Sequence, residues 1–94
     1  MAEKTVTIAS RSGLHARPAK LFVQAAARQG VAVRVRTADK PSVPATSMLG
    51  VLALGARQGT EVTLQADGPG AEEALESLAE LLSRDLDAEE SADA

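Results

Sequence analysis

The sequence predicts an α+β domain in which helices cover one face of a mostly antiparallel sheet. Its 94 residues are enough for a single domain. Three short segments alternate apolar and polar residues, as half-buried strands do, and two longer segments repeat apolar residues at helical spacing. Since each strand alternates, the other face of the sheet is expected to be solvated. The predicted element order is β-α-β-β-α-β-α.

The N-terminal thirty residues predict a strand followed by a helix. Val6 and Ile8 alternate with threonines, which indicates the strand. From Ala16 to about Gln29 the pattern is helical, and Gly30 favours its end. The predicted apolar face consists of Ala19, Phe22, Val23 and Ala26. The predicted opposite side carries Arg17, Lys20, Gln24 and Arg28.

A second strand and a short edge strand are predicted next. Valines alternate with other residues from Val31 to Val35. Pro41 and Pro44 follow, and proline cannot donate a hydrogen bond to a strand ladder. Any strand between residues 37 and 46 should therefore be short and lie at the sheet edge.

The remaining elements are a short helix, a strand and a final helix. Ser47 is placed to cap the short helix and Gly55 to end it. Val62, Leu64 and Ala66 alternate with polar residues, which predicts the last strand. The apolar stripe of the final helix is Ala71, Ala74, Leu75, Leu78 and Leu82.

The C-terminal end differs in composition from the rest. Residues 85–94 hold five acidic residues and one large aliphatic residue, Leu86. Such a composition favours a disordered acidic tail. We therefore expect one domain over residues 1–84 and a tail over residues 85–94.

Composition excludes several kinds of chemistry. The chain has no cysteine and one histidine, so neither a thiolate zinc site nor another metal centre is expected. With one aromatic residue, a core of small aliphatic side chains leaves little room for a deep pocket, so no cofactor is expected. The longest near-apolar run, residues 48–56, is far shorter than the roughly 20 residues of a membrane span. No apolar signal-peptide core follows the start. We expect a cytoplasmic protein without membrane insertion.

Charge is distributed unevenly along the chain. Residues 1–57 carry nine basic and two acidic residues, whereas residues 58–94 carry one basic and eleven acidic residues. The usual interpretation is a surface of mixed charge. A second interpretation is a basic docking patch in the first half that attracts acidic partners.

One segment combines a nucleophile with an anion site. If His15 is the N-cap of the first helix, Ala16 and Arg17 are its first residues, and their N–H groups lack helical partners. A helix N-terminus favours anions, and the Arg17 guanidinium suits phosphate oxygens. Neutral imidazole is a nucleophile, so this segment is expected to place a reactive side chain beside a phosphate-binding site. The plainer alternative is an ordinary surface or capping histidine.

Two motifs resemble a known family. Residues 13–19 read Gly-Leu-His-Ala-Arg-Pro-Ala, and residues 47–55 read Ser-Met-Leu-Gly-Val-Leu-Ala-Leu-Gly. The first resembles the active-site motif of the histidine-containing phosphocarrier (HPr) family of the bacterial sugar phosphotransferase system. The second resembles the family's short helix. The resemblance covers about residues 3–84 and implies an open-faced sandwich with antiparallel strands in the order 1-4-2-3.

The resemblance also implies a function. His15 would accept a phosphoryl group on Nδ1 from enzyme I, charged by phosphoenolpyruvate, and pass it to a histidine of a sugar-specific enzyme IIA domain. Arg17, with the N–H groups at Ala16 and Arg17, would bind the phosphoryl oxygens. The protein would be a carrier rather than an enzyme. The family's docking surface maps onto Lys20, Leu21, Gln24, Arg28, Met48 and Leu49.

Ser47 has two interpretations. Serine is a preferred N-cap, which suffices to explain it. The resemblance implies regulation as well, because an HPr kinase phosphorylates the matching serine of many relatives. Many of those relatives have a lysine immediately before that serine, where this chain has Thr46.

The sequence also bears on three other functions. A paralogous carrier in a nitrogen-related or dihydroxyacetone-kinase relay would use the same His15 chemistry, and the sequence leaves it open. Nucleic-acid-binding sheets stack bases on exposed aromatic residues, whereas the single aromatic residue here, Phe22, lies on the apolar helix face. We therefore expect no nucleic-acid partner. A stand-alone enzyme would need a substrate pocket, an oxyanion hole or a second base, and the sequence shows none of these, so we expect a carrier. We also expect a monomer.

Overall fold

The predicted strands form one antiparallel sheet, and the predicted order of elements is confirmed. The computed structural model describes residues 2–86. The elements are β1 (Ala2–Thr7), α1 (Ala16–Ala27), β2 (Val33–Arg36), β3 (Val43–Pro44), α2 (Met48–Ala53), β4 (Glu61–Ala66) and α3 (Ala71–Leu82).

The sheet has the strand order β1-β4-β2-β3, as the family resemblance implied. β4 lies between β1 and β2, with Val62 opposite Val6 and Leu64 opposite Val35. β3 is only two residues long and pairs at the edge with β2. This agrees with the limit that Pro41 and Pro44 place on a strand.

The core lies between one face of the sheet and the helices α1 and α3. Phe22 of α1 and Leu78 of α3 are completely buried, as are Val35, Val62 and Leu64 of the sheet. The opposite face is polar: the Thr5 and Thr63 hydroxyls lie 3.2 Å apart, and Gln65 Nε2 donates to Glu3 at 2.7 Å. The expected solvated face is therefore present.

Two predicted boundaries differ from the structure. α1 ends at Ala27 rather than near Gln29, because the N–H groups of Arg28 and Gln29 bond to carbonyls three residues back, at Ala25 and Ala26. Such bonds tighten and end the last helical turn before Gly30 is reached. β2 begins at Val33, two residues later than the valine pattern predicted.

The sequence predicts a disordered tail from Asp85 onward. That prediction is wrong for Asp85 and Leu86, which contact the rest of the fold. Leu86 is 1% exposed, and its N–H donates to the Ser10 hydroxyl at 2.9 Å. Asp85 accepts hydrogen bonds from Arg11. Burying one leucine and pairing one carboxylate outweighs the disorder that an acidic composition favours. Residues 87–94, the rest of the predicted tail, lie outside the described residues.

Gly13 stands where two chain segments come unusually close. Its φ is +72°, in the left-handed region. A Cβ on this residue would lie 2.5 Å from the Ala56 carbonyl oxygen and 2.8 Å from the Arg57 Cα. Both are backbone atoms, which cannot rotate away as a side chain could. The position therefore requires glycine for its conformation and for its lack of a side chain.

We predict that Gly13→Ala lowers the free energy of unfolding by about 3 kcal/mol or more, because left-handed strain and overpacking add. Gly59→Ala is the matched control, since Gly59 has a φ of +90° and nothing within 4 Å of its Cβ position. It should cost only about 1 kcal/mol, the conformational part alone. Urea denaturation measures both, and equal losses would contradict the close approach.

Candidate functional site

His15 is the N-cap of α1, as the sequence predicted. Its backbone is extended, with φ −146° and ψ 159°, and its side chain makes no capping hydrogen bond. The imidazole is exposed to solvent. The first turn of α1 contains no acidic residue that would offset the positive end of the helix. The structure thus presents an accessible imidazole at the N-terminus of a twelve-residue helix.

Ala16, directly after the histidine, has a strained backbone. Its φ is +52°, and among residues 2–86 it is the single residue other than glycine with a positive φ. Neighbours on both sides hold it there. Leu14 is buried and donates its N–H to the Ala56 carbonyl at 2.9 Å, while Pro18 and Ala19, in the first turn of α1, are buried as well. Strain of this kind persists only where the surroundings fix the conformation.

Arg17 is the second residue of α1, two positions after His15. The side chain is half-buried, and its Nε atom is buried. A partly buried guanidinium loses less conformational freedom when it binds an anion than a fully solvated one. Ala16 and Arg17 therefore occupy the helix-terminal positions that the sequence assigned to phosphate binding.

The predicted docking residues of α1 lie along one side of the helix. Lys20, Gln24 and Arg28 are spaced four residues apart and are all exposed, and Leu21 beside them is half-buried. α1 packs against α2, the helix that carries the other predicted docking residues.

The α2 part of the predicted docking surface is apolar. Met48 is 36% exposed and Leu49 is 83% exposed, and they are the large apolar side chains that residues 2–86 leave exposed. If another protein covered Leu49, the largest exposed fraction of these two apolar side chains would be removed from water. The structure thus leaves two apolar side chains exposed on a helix that packs against α1.

Ser47 caps α2, as predicted. Its hydroxyl accepts a hydrogen bond from the Gly50 N–H at 3.1 Å. The other end of α2 is held by a residue that sequence reasoning missed: Lys40 Nζ donates to the carbonyls of Ala53 and Leu54 at 3.0 and 3.2 Å. A lysine favours a helix C-terminus, but thirteen residues separate it from that end, so no local pattern reveals it.

Residues 2–86 contain no group of three or more histidine, cysteine, aspartate or glutamate residues that could hold a metal ion. No helix in this range is long and apolar enough to cross a membrane.

Comparison with known proteins identifies the family. A family model described as the PTS HPr component phosphorylation site matches residues 2–84. The chain belongs to the HPr family. It is therefore an HPr-type phosphocarrier of the phosphotransferase system, and its partners belong in general to that system.

Similar HPr proteins match over nearly their whole length. The phosphocarrier protein HPr of Streptomyces coelicolor is 51% identical over 87 residues, which cover 93% of this chain and 94% of that protein. The crystal structure of HPr-C-His from Thermoanaerobacter tengcongensis superposes with a TM-score of 0.81 at 43% identity, covering 87% and 91% of the two chains. HPr from Bacillus anthracis has the same TM-score at 38% identity, covering 86% and 95%.

We predict that Ala16→Gly leaves the free energy of unfolding unchanged or raises it by about 1 kcal/mol, because relief of left-handed strain exceeds or matches the entropy cost of glycine. Ala25→Gly, at a half-buried position inside the same helix, should lower it by about 1 kcal/mol. Thermal or urea unfolding compares the two variants. A loss at Ala16 as large as that at Ala25 would contradict the strain.

Proposed function

We propose that His15 accepts a phosphoryl group from enzyme I and passes it to a histidine of a sugar-specific enzyme IIA domain. The observation that carries the proposal is the exposed His15 imidazole at the N-terminus of α1, next to Arg17. We further propose that the protein acts as a monomer in the cytoplasm, and as a carrier rather than an enzyme.

The transfer forms a nitrogen–phosphorus bond on His15 as the donor's bond to phosphorus breaks. The lone pair of Nδ1 on neutral His15 attacks the phosphorus carried by enzyme I, and the atom of enzyme I that carried it leaves with the electron pair. The N–H groups at the start of α1 and the Arg17 guanidinium stabilise the oxygens during and after transfer. A second transfer of the same kind moves the group to enzyme IIA, with His15 as the leaving group.

The docking surface that we propose surrounds this histidine. It combines the exposed apolar side chains of α2 with the basic stripe of α1, and its members are Lys20, Leu21, Gln24, Arg28, Met48 and Leu49. The basic residues speed encounter with acidic partners. A small apolar centre gives modest affinity. A carrier needs modest affinity because it must dissociate quickly from one partner before it binds the next.

The first experiment is intact-mass spectrometry after mixing the protein with phosphoenolpyruvate and enzyme I. The wild type should gain one acid-labile phosphoryl group and His15→Ala none, because His15 is the sole histidine. Arg17→Ala should still be phosphorylated, but about 100-fold more slowly, since a phosphoryl-binding group is lost. A wild type that gains no mass with the enzyme I of its own organism contradicts the proposal.

We also propose that Ser47 is a regulatory phosphorylation site for an HPr kinase. The hydroxyl is half-buried at the N-cap of α2, next to Met48 and Leu49. A helix N-terminus tolerates a phosphate, but the added charge lies inside the docking surface and repels acidic partners. Chains purified from cells grown on abundant sugar should carry an acid-stable phosphate on Ser47. Its absence under every growth condition would refute this role.

A pair of variants tests the effect of charge at this position. Ser47→Asp keeps a capping oxygen and adds a negative charge, so the KM for phosphorylation by enzyme I should rise about fivefold. Ser47→Asn is the neutral match and should leave KM unchanged. Ser77→Asp adds the same charge on the exposed surface of α3, outside the docking surface. The same KM for all three variants would place Ser47 outside that surface.

A further inference from the structure

The loop that leads to His15 is tied to the C-terminal end of the fold. Ser10 is 2% exposed, and its hydroxyl forms two hydrogen bonds: it accepts from the Leu86 N–H at 2.9 Å and donates to the Arg84 carbonyl at 3.3 Å. The preceding residue, Ala9, donates its N–H to the Leu82 carbonyl at 3.1 Å. A buried hydroxyl with both a donor and an acceptor partner costs stability when either partner is lost.

An ion pair strengthens the same contact. The Asp85 carboxylate accepts from the Arg11 backbone N–H at 3.3 Å and from Arg11 Nε at 3.2 Å. Three consecutive residues of the loop, 9–11, are thus bonded to the segment 82–86. We call this set of bonds the C-terminal clamp.

Ser10 connects the clamp to the histidine. Its carbonyl accepts the Gly13 N–H at 2.9 Å, which closes the turn two residues before His15. Gly13 lies directly against the backbone of Ala56 and Arg57 and has no space to shift toward it. Ser10 is thus a second constraint on the turn before His15, beside the contact of Gly13 with residues 56 and 57, and its loss would leave the turn held on that one side only.

We propose that Ser10 is a positioning residue for phosphoryl transfer: through the C-terminal clamp it fixes the loop that presents His15. The inference rests on the proposed function of His15. Transfer between two histidines requires the attacking nitrogen to lie in line with the breaking bond, and small displacements slow such reactions strongly. Residues Asp85 and Leu86 act through Ser10 and Arg11, at a distance in sequence of more than seventy residues from the loop.

Ser10→Ala tests the proposal because it removes both hydroxyl bonds. We expect kcat for phosphorylation by enzyme I to fall about 10-fold while KM stays within about twofold, since the docking residues are untouched. The amides of Gly13 and Leu14 should exchange with solvent about 10-fold faster, whereas those of β4 keep their protection.

Ser83→Ala is the matched control, because that hydroxyl donates to the Glu80 carbonyl at 2.7 Å, within the C-terminal segment. It should leave kcat and loop exchange unchanged.

A second pair keeps the test decisive if Ser10→Ala destabilises the whole protein. Asp85→Ala breaks the pair with Arg11, and Glu80→Ala breaks a pair of equal 3.2 Å length with Arg84 that lies within the C-terminal segment. Only Asp85→Ala should lower kcat and speed exchange at Leu14, by about two- to threefold for an exposed pair.

Three results decide the inference. A wild-type kcat for Ser10→Ala overturns it, and so does a lowered kcat with unchanged exchange at Gly13 and Leu14, because the effect would then not act through the loop. If wild-type protein is not phosphorylated at all, the proposed function of His15 fails instead. The exchange rates still show in that case whether the clamp holds the loop.

Discussion

The close approach of the chain at Gly13 to the backbone of Ala56 and Arg57 is the constraint on which the site depends. It joins the loop before α1 to the segment between α2 and β4, and the Leu14 hydrogen bond to Ala56 fixes its register. This anchor precedes His15 and the buried start of α1 follows it, so the turn between them is held at both ends. The left-handed backbone of Ala16 is the local cost of joining two fixed ends.

Sequence patterns predicted most of the elements because those patterns are local. Alternating valines, the stripe of α3 and the N-caps at His15 and Ser47 each depend on neighbours within a few residues. The spacing also placed the histidine and Arg17 together at a helix N-terminus. Local rules were less accurate at the ends of elements, where the bonds of Arg28 and Gln29 ended α1 early.

Long-range contacts could not be derived in the same way. The strand order came from the family resemblance, since alternation identifies strands but not their neighbours. Nothing local to Ser10 indicates that Leu86 will bond to it, or that Lys40 will hold the end of α2. The acidic composition after Arg84 even favoured the wrong conformation for Asp85 and Leu86. Each of these features depends on which distant segments the fold brings together.

The 83% exposure of Leu49 has a consequence for how binding partners would follow one another on the protein. If both proposed partners cover this side chain, as the proposed docking surface implies, they cannot be bound at the same time. The first partner must then leave before the second can bind, so each passage through the carrier would include one complete exchange of partners at this leucine.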